Sequence, residues 1–437
     1  LRFLCSGVTG ITEDKLRVIA PEVGGGFGSK IAAYPGDFIT VFCSKKLGLP
    51  VKWTETRSEG YIATTHGRDH VQKVELAGRK DGTITGLRCS VHAGMGAYLS
   101  TAAPGIPTIL HGLMLSGCYD IPAIKEDVYG VYTNTVPVEA YRGAGRPEAT
   151  FMIERLIDLF AAELGMDPVE VRRKNFMPRF EDGHDTVTGL TYDSGDYPAA
   201  LTKALAHVDY SGLRTEQAKA RENNRYLGVG VSSYVEICGL GPSQVAGAIG
   251  FQGGLWESAI VRFHPTGKVH VFIGASPHGQ GEETTFAQIV ADEIGVDSSD
   301  VKVFHGDTDL TPMGWGTYGS RTTAVGGAAL ALTVRKIRKK AKIIAAHLLE
   351  AAVEDMEYKD GEFFVKGAPD QSKTIQDIAL MAHVAWNMPE NVEAGLEAST
   401  FYDPPNFVFP YGTHIATVEV DPDTGQVDLT RYVALDD

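Results

Sequence analysis

Lys15-Leu-Arg-Val-Ile-Ala-Pro-Glu-Val-Gly-Gly-Gly-Phe-Gly28 is the stretch on which the fold class turns. Lys15 to Ala20 predicts a short strand and Gly24 to Gly28 a glycine-rich turn. The apolar-periodic segment that follows, to about Lys46, predicts a helix. The second half repeats the device. Trp256 to Phe263 and Val269 to Ile273 predict a hairpin across His264-Pro-Thr-Gly267, and Gly279-Gln-Gly281 then leads into a helix from about Glu282 to Ile294. Val301 to His305 predicts a strand feeding the loop Gly306 to Ser320, and a long helix follows from about Thr322 to Leu349. No fixed period links the halves, so a recurring turn solution accounts for the likeness more simply than an internal duplication.

Three further signals fill in the first half. Residues 71–98 alternate on either side of Lys80-Asp81-Gly82 and predict a hairpin, Val128 to Val136 predicts a strand, and Pro147 opens a helix to about Leu164. The polar stretch Arg179 to Asp196 is the expected boundary between two lobes, residues 1–180 and 181–437, and Asp421-Pro-Asp-Thr-Gly425 predicts the last hairpin. The expected class is α/β, with mixed sheets flanked by helices.

The chain has 437 residues and a formal charge of −15, which argues against a general electrostatic grip on nucleic acid or on an anionic membrane. Any anionic ligand must be held locally. The hydrophobic share of 43% excludes wholesale disorder, and 50 glycines point to loops where backbone approaches something closely. Cys5, Cys43, Cys89, Cys118 and Cys238 form no Cys-x-x-Cys pair, so neither a zinc site nor an iron–sulfur cluster is read from them, and reduced thiols in a cytoplasmic protein are expected. The opening on Leu1 and the strand pattern up to Asp437 suggest a piece of a longer polypeptide.

Among known motifs, Gly24 to Gly28 ends in Ser29-Lys30 and lacks the Gly-Lys-Ser/Thr of a phosphate loop. Gly314-Trp-Gly316-Thr-Tyr-Gly319 matches dinucleotide spacing formally, but no predicted strand abuts it and no acidic ribose ligand follows. Metallopeptidase and serine-hydrolase patterns are absent. What stands out is a set of segments that each place glycines with amide, hydroxyl or guanidinium donors just before a helix: Gly24 to Gly28, Ala140-Tyr-Arg-Gly-Ala-Gly-Arg-Pro147, Gly279-Gln-Gly281 and Gly316-Thr-Tyr-Gly-Ser-Arg-Thr-Thr323. Free backbone N–H groups and a helix dipole let such loops bind anions or oxo groups, which answers how an acidic chain could hold a polyanion.

These segments, together with Arg17 to Lys30, Arg173-Lys-Asn-Phe-Met177, Ser276-Pro-His-Gly-Gln-Gly-Glu-Glu-Thr-Thr-Phe-Ala-Gln288 and Gly306-Asp-Thr-Asp309, carry a collinear resemblance from about Leu16 to Asp437. The chain resembles the molybdenum-binding large subunits of the xanthine oxidase family, and most closely those similar to aerobic carbon monoxide dehydrogenase. The resemblance implies two molybdopterin-binding lobes in the central part of a larger subunit. It implies a molybdenum cofactor, molybdopterin cytosine dinucleotide, with no direct protein ligand to the metal. Gly26, Phe27 and Gly28 would lie over the metal, and Arg142, Gly143, Ala144 and Gly145 would form the loop on its substrate side. Gln280, Gly281, Glu282, Glu283, Thr317, Tyr318, Gly319, Ser320, Arg321, Thr322 and Thr323 would hold the pterin and pyrophosphate, with Arg321 as a local cation. Arg142 and Gln280 would take part in catalysis.

The implied activity is hydroxylation of an electron-poor carbon in an N-heterocycle or aldehyde, with water as oxygen source. Electrons would pass to two-iron two-sulfur clusters on a small subunit and FAD on a medium subunit, in a dimer of heterotrimers. The family's general-base glutamate would fall beyond Asp437, so a cofactor-holding fragment inactive on its own is an alternative. Copper-dependent carbon monoxide dehydrogenases of the family carry cysteine where this chain has Gly143, and without a thiolate there is no soft ligand for copper(I). An organic substrate is therefore expected ahead of carbon monoxide.

Overall fold

Hydrophobic alternation sets the sheets. In the computed structural model, which describes residues 1–248, 250 and 253–437, the strand His70–Gly78 pairs antiparallel with Ile84–Gly96. Ile124–Tyr132 then adds parallel on the other side of Ile84–Gly96. The central strand buries Cys89, Val91 and Ala93 completely, as a middle position in a mixed sheet requires.

By the density of their packing the described residues form two compact units. One comprises Leu1–Gly26, Ala33–Trp53 and Gly239–Phe407, and the other Phe27–Ala32, Thr54–Cys238 and Val408–Asp437. Both are discontinuous in sequence, whereas the division expected at 180/181 is continuous. The polar stretch 179–196 lies wholly inside the second unit. It folds as a tight turn in which His184–Asp185 pairs with Thr191–Tyr192 and buries Leu190 and Tyr192.

In the first unit a four-stranded sheet runs in the order Glu397–Tyr402, Glu257–Phe263, Val269–Ile273, Val301–Phe304, and the last strand joins parallel. Val261, Phe263, Val271 and Ile273 meet Phe286, Val290 and Ile294 of the helix Glu282–Ile294 in one apolar core. Leu330, Val334 and Ile337 of the helix Ala328–Leu348 belong to the same core. Both helices place their apolar residues at helical spacing on the face toward the sheet.

The second unit holds the hairpin sheet just described and a second sheet in the order Val427–Asp436, Tyr411–Val420, Tyr226–Val235. The helix Arg146–Leu164 begins where expected, with Pro147 in its first turn, and stops at Gly165 with φ 65°. Its Glu154 is buried and accepts from Arg172 Nε (2.9 Å), from the Ser233 amide (3.0 Å) and from the Tyr119 hydroxyl. Arg172, fully buried in the helix Pro168–Asn175, also donates to Asp158 Oδ1 at 3.0 Å. Two helices and a strand are thus tied through one charge pair.

The structure departs from the sequence expectations at several local elements, among them the strand expected at Val128 to Val136, which runs from Ile124 to Tyr132. Lys15 to Ala20 forms no strand: only Ile19 makes a bridge, to Asp307, because its partner is a loop and Pro21 interrupts further pairing. The helix after the first glycine turn starts only at Pro35 and ends at Leu47. The long helix of the second half opens with a π-helical turn over Thr322–Gly327, and the regular α-helix begins at Ala328.

Replacing Arg172 by Met leaves Glu154 buried without its cation. Chemical denaturation should report a loss of about 3–5 kcal/mol for this variant, the usual cost of breaking a buried pair, and an unchanged unfolding midpoint would show that the pair contributes nothing.

Candidate functional site

In the first unit, residues 274–281 carry the chain from the strand Val269–Ile273 to the helix Glu282–Ile294. Gly279 and Gly281 have φ of +103° and +90°. The space beside Gly281 and beside Gly316 is open, since a Cβ at either would meet nothing within 4 Å. The helix begins without a side-chain cap, which leaves the positive end of a 13-residue dipole facing this space.

Three buried polar atoms lie on this segment, at the first residue of the helix and on His305, whose ring reaches Glu283 of that helix. Ser276 Oγ, Glu282 Oε2 and His305 Nδ1 have no hydrogen-bond partner among the described residues. Glu282 is only 4% exposed, and burial raises its carboxyl above the ordinary range. Next to it, Glu283 Oε1 and His305 Nε2 are 2.7 Å apart. The Ser276 amide donates to Thr317 Oγ1 at 3.1 Å, which also accepts from Thr322 Oγ1 at 3.0 Å. Gln280 Oε1 accepts from the His278 amide, so its NH₂ is the group left to donate. Gly26 packs on the His278 ring so closely that a Cβ would lie 2.9 Å from Nδ1. Gly26, Gln280 to Glu283, Thr317 and Thr322 are therefore brought together.

Arg321 takes a different place from the one expected. It is 1% exposed and all five of its N–H groups go to protein acceptors. Nε donates to Leu240 O (2.9 Å), Nη1 to Glu257 Oε2 and Gly316 O (both 2.7 Å), and Nη2 to Leu255 O (2.5 Å) and Trp256 O (3.0 Å). No donor remains for a ligand. Burial raises the Glu257 carboxyl, while Arg321 and the amides of Ser258 and Gly316 act to lower it. Gly319 and Ser320 accept backbone bonds from Leu240 and Gly239, so the loop from Gly316 to Arg321, including Tyr318, is fixed from beneath, and Thr323 follows on the exposed side.

The other expected residues belong to the second unit. Phe27 has φ 51° and is 57% exposed. A Cβ at Gly28 (φ +106°) would fall 1.9 Å from Ala140 O, so only glycine lets these strands of backbone touch. The Arg142 amide donates to Phe27 O at 2.8 Å, and the exposed Arg142 guanidinium lies 5.7 Å from the Phe27 ring centroid. Gly143 and Ala144 follow with φ of +96° and 46°, and the Ala144 amide turns back to Tyr141 O at 2.7 Å. Buried Glu139 anchors the start of this loop by accepting from the amides of Ala102 and Ala140 and from the Ser100 hydroxyl.

Sequence reasoning missed Glu257, Glu139 and His305. Glu257 had a visible signal, a carboxylate opening the apolar strand Glu257–Phe263, but nothing in the sequence pairs it with Arg321. No cysteine is poised as a nucleophile here, and burial pushes the Cys89 thiol up to about 12. Among the described residues no group of three or more His, Cys, Asp or Glu could hold a metal ion.

Residues 1–176 and 203–437 each match a family described as molybdopterin cofactor-binding domain. The chain belongs to that family. It is 43% identical to the carbon monoxide dehydrogenase large chain of Hydrogenophaga pseudoflava over all of this chain and 54% of the relative. With the gamma subunit of the 6-hydroxypseudooxynicotine dehydrogenase complex of Paenarthrobacter nicotinovorans it shares 34% identity, over 99% of this chain and 53% of the relative. The solved structure of quinoline 2-oxidoreductase from Pseudomonas putida 86 superposes with a TM-score of 0.94 at 34% identity, covering all of this chain and 55% of that one. The chain thus spans about half the length of the curated relatives it matches, and the expected membership in the xanthine oxidase family is borne out.

A molybdopterin cofactor fits the residues of the first unit. Its polar edges need many donors and acceptors, and the segment offers open space at two glycines, an uncapped helix N-terminus and three buried polar atoms in want of partners.

The raised carboxyl of Glu282 has a pH signature. The folded chain binds this proton more tightly than the unfolded chain, so the contribution of Glu282 to stability is most favourable below the ordinary carboxylate value of 4.5 and is lost as pH rises from there through the folded value. Glu282→Gln, which is neutral throughout, should shift the urea midpoint upward at neutral pH and leave it little changed at acid pH. Equal shifts at both pH values would sink this account.

Proposed function

We propose that this chain is the cofactor-holding part of the molybdenum-binding subunit of an oxidoreductase that hydroxylates a carbon of an N-heterocycle or an aldehyde, with water as the oxygen source. The form of the cofactor is molybdopterin cytosine dinucleotide, and when bound it supplies the redox-active molybdenum centre. Gln280 to Glu283 with Ser276, Thr317 and Thr322 hold it by amide, hydroxyl and carboxyl groups, while Gly319, Ser320 and Arg321 keep the neighbouring loop in shape. Arg142 and Gln280 offer the donors that meet substrate and reacting groups. The partners are an iron–sulfur small subunit and an FAD-binding medium subunit, joined as a dimer of heterotrimers in the cytoplasm. Five free cysteines suit a reducing compartment.

The observation that carries the choice of an organic substrate is the geometry at Gly143. Its φ is +96°, and a Cβ there would lie 2.2 Å from Pro147 Cγ. The position at which the family resemblance implies a cysteine in copper-dependent enzymes therefore has no room for a side chain in this loop conformation, and without a thiolate copper(I) has no soft ligand. A second reading, oxidation of carbon monoxide, is favoured by the 43% identity to a carbon monoxide dehydrogenase large chain.

Elemental analysis and steady-state assays of the purified complex separate the two. The expected outcome is molybdenum equimolar with this chain, no copper, and turnover of nicotinate-like heterocycles or aldehydes far above that of carbon monoxide. Copper in stoichiometric amount with rapid carbon monoxide oxidation would overturn the first reading in favour of the second. Consistent with the crowding at Gly143, Gly143→Cys should lower thermal stability without conferring copper binding, which calorimetry and metal analysis of the variant will show.

A further inference from the structure

The loop 141–145 is held by a residue that carries no glycine signal and lies more than seventy positions upstream. Gly67 approaches the loop so closely that a Cβ there would lie 2.3 Å from Tyr141 Cβ. Arg68 follows with φ +78°, in the left-handed region that a long side chain seldom adopts. Such strain persists only where the surroundings over-determine it.

Here the determining contacts are those of the Arg68 guanidinium. Nη2 donates to Arg142 O at 2.7 Å, and Nη1 donates to Glu148 Oε2 at 3.1 Å and to Tyr141 O at 3.4 Å. The same guanidinium lies 4.9 Å from the Tyr141 ring centroid. Glu148 Oε2 in turn accepts from the Gly145 amide at 3.0 Å. Arg68 and Glu148 therefore grip the loop at both ends, by two carbonyls where it begins and by an amide where it closes. Glu148 sits in the first turn of the helix Arg146–Leu164, so the grip is anchored on a rigid element. The Glu148 side chain is only 9% exposed and holds its carboxylate in place, while the Arg68 side chain stays 36% exposed.

We propose that Arg68 is a positioning residue: through Arg142 O, Tyr141 O and Glu148 it fixes the backbone that presents Arg142 and Gly143 to substrate. The role rests on the reading of 142–145 as the substrate-side loop. A lysine cannot reproduce it, because an ammonium lacks the planar fork that spans these acceptors. The bidentate reach across two successive carbonyls and a carboxylate is what sets the loop.

Two variants test this in the full complex. Arg68→Gly removes the guanidinium while tolerating the positive φ, so relief of backbone strain does not confound it. Arg68→Lys keeps the charge and serves if the glycine variant fails to fold. The first readout is amide hydrogen exchange, which needs neither turnover nor cofactor. The amides of Arg142, Ala144 and Gly145 should exchange about tenfold faster or more in both variants, with the helix Glu282–Ile294 unchanged.

The second readout is kinetic. At unaltered molybdenum content kcat should fall about tenfold or more with a smaller change in KM, and added guanidinium ion should recover part of it in Arg68→Gly. Unchanged exchange in the loop overturns the proposal, as does a wild-type kcat in both variants or a loss in Arg68→Gly accompanied by global exchange and no guanidinium rescue. Faster loop exchange alongside a wild-type complex that oxidises no heterocycle or aldehyde supports the clamp and overturns only the functional reading on which its purpose rests.

Discussion

A guanidinium taken out of water must find five acceptors, and in the first unit Arg321 finds them all within the protein. Four of the five are backbone carbonyls, and the remaining one belongs to Glu257, a carboxylate as buried as the arginine itself. This demand fixes residues 240, 255, 256 and 316 around one point. The loop that ends in Arg321 then has little freedom, and Thr317 and Thr322 on that loop meet Ser276 at a set position. What looks in sequence like a cation offered to a ligand is the internal framework on which the ligand-facing groups are mounted.

The second unit spreads the same task over several charged groups, most of them as deeply buried. Glu154 with Arg172 fastens two helices to a strand, Glu139 collects the amides that start the 140–145 loop, and Arg68 with Glu148 closes it. Around the 140–145 loop the charged side chains satisfy backbone groups that no regular element can satisfy, because the loop is neither helix nor sheet. The glycines make the close approaches possible, and the charges make them the preferred arrangement. An acidic chain is suited to this use, since a carboxylate accepts from several N–H groups at once.

How much of this was legible in sequence follows from the range of the interactions. The helix Arg146–Leu164 and the hairpin His70–Gly96 are readable because Pro147 and the alternation around Gly82 act locally. The glycine-rich segments are readable as places of close approach, but not their division: Gly26, Gly279 to Gly281 and Gly316 to Thr323 fall in the first unit, and Gly28 with residues 140–147 in the second. The pairing of Ile19 with Asp307 was not readable, because it joins a segment to a loop nearly three hundred residues away and makes one bridge in place of a strand. The framework role of Arg321 is hidden for a related reason: its acceptors are mostly carbonyls, which every residue has and no sequence displays. The π-helical turn over Thr322–Gly327 likewise follows from packing against the sheet, where Gly326 and Gly327 are buried, and not from propensity.

The unsatisfied trio of Ser276, Glu282 and His305 bears on the life of the polypeptide in the cell. A polar guest that bonds to these three atoms binds the folded chain and not the unfolded one, and so stabilises the fold. Loading is thereby coupled to persistence. Cleavage by a protease that samples opened states slows as such a guest lowers their population.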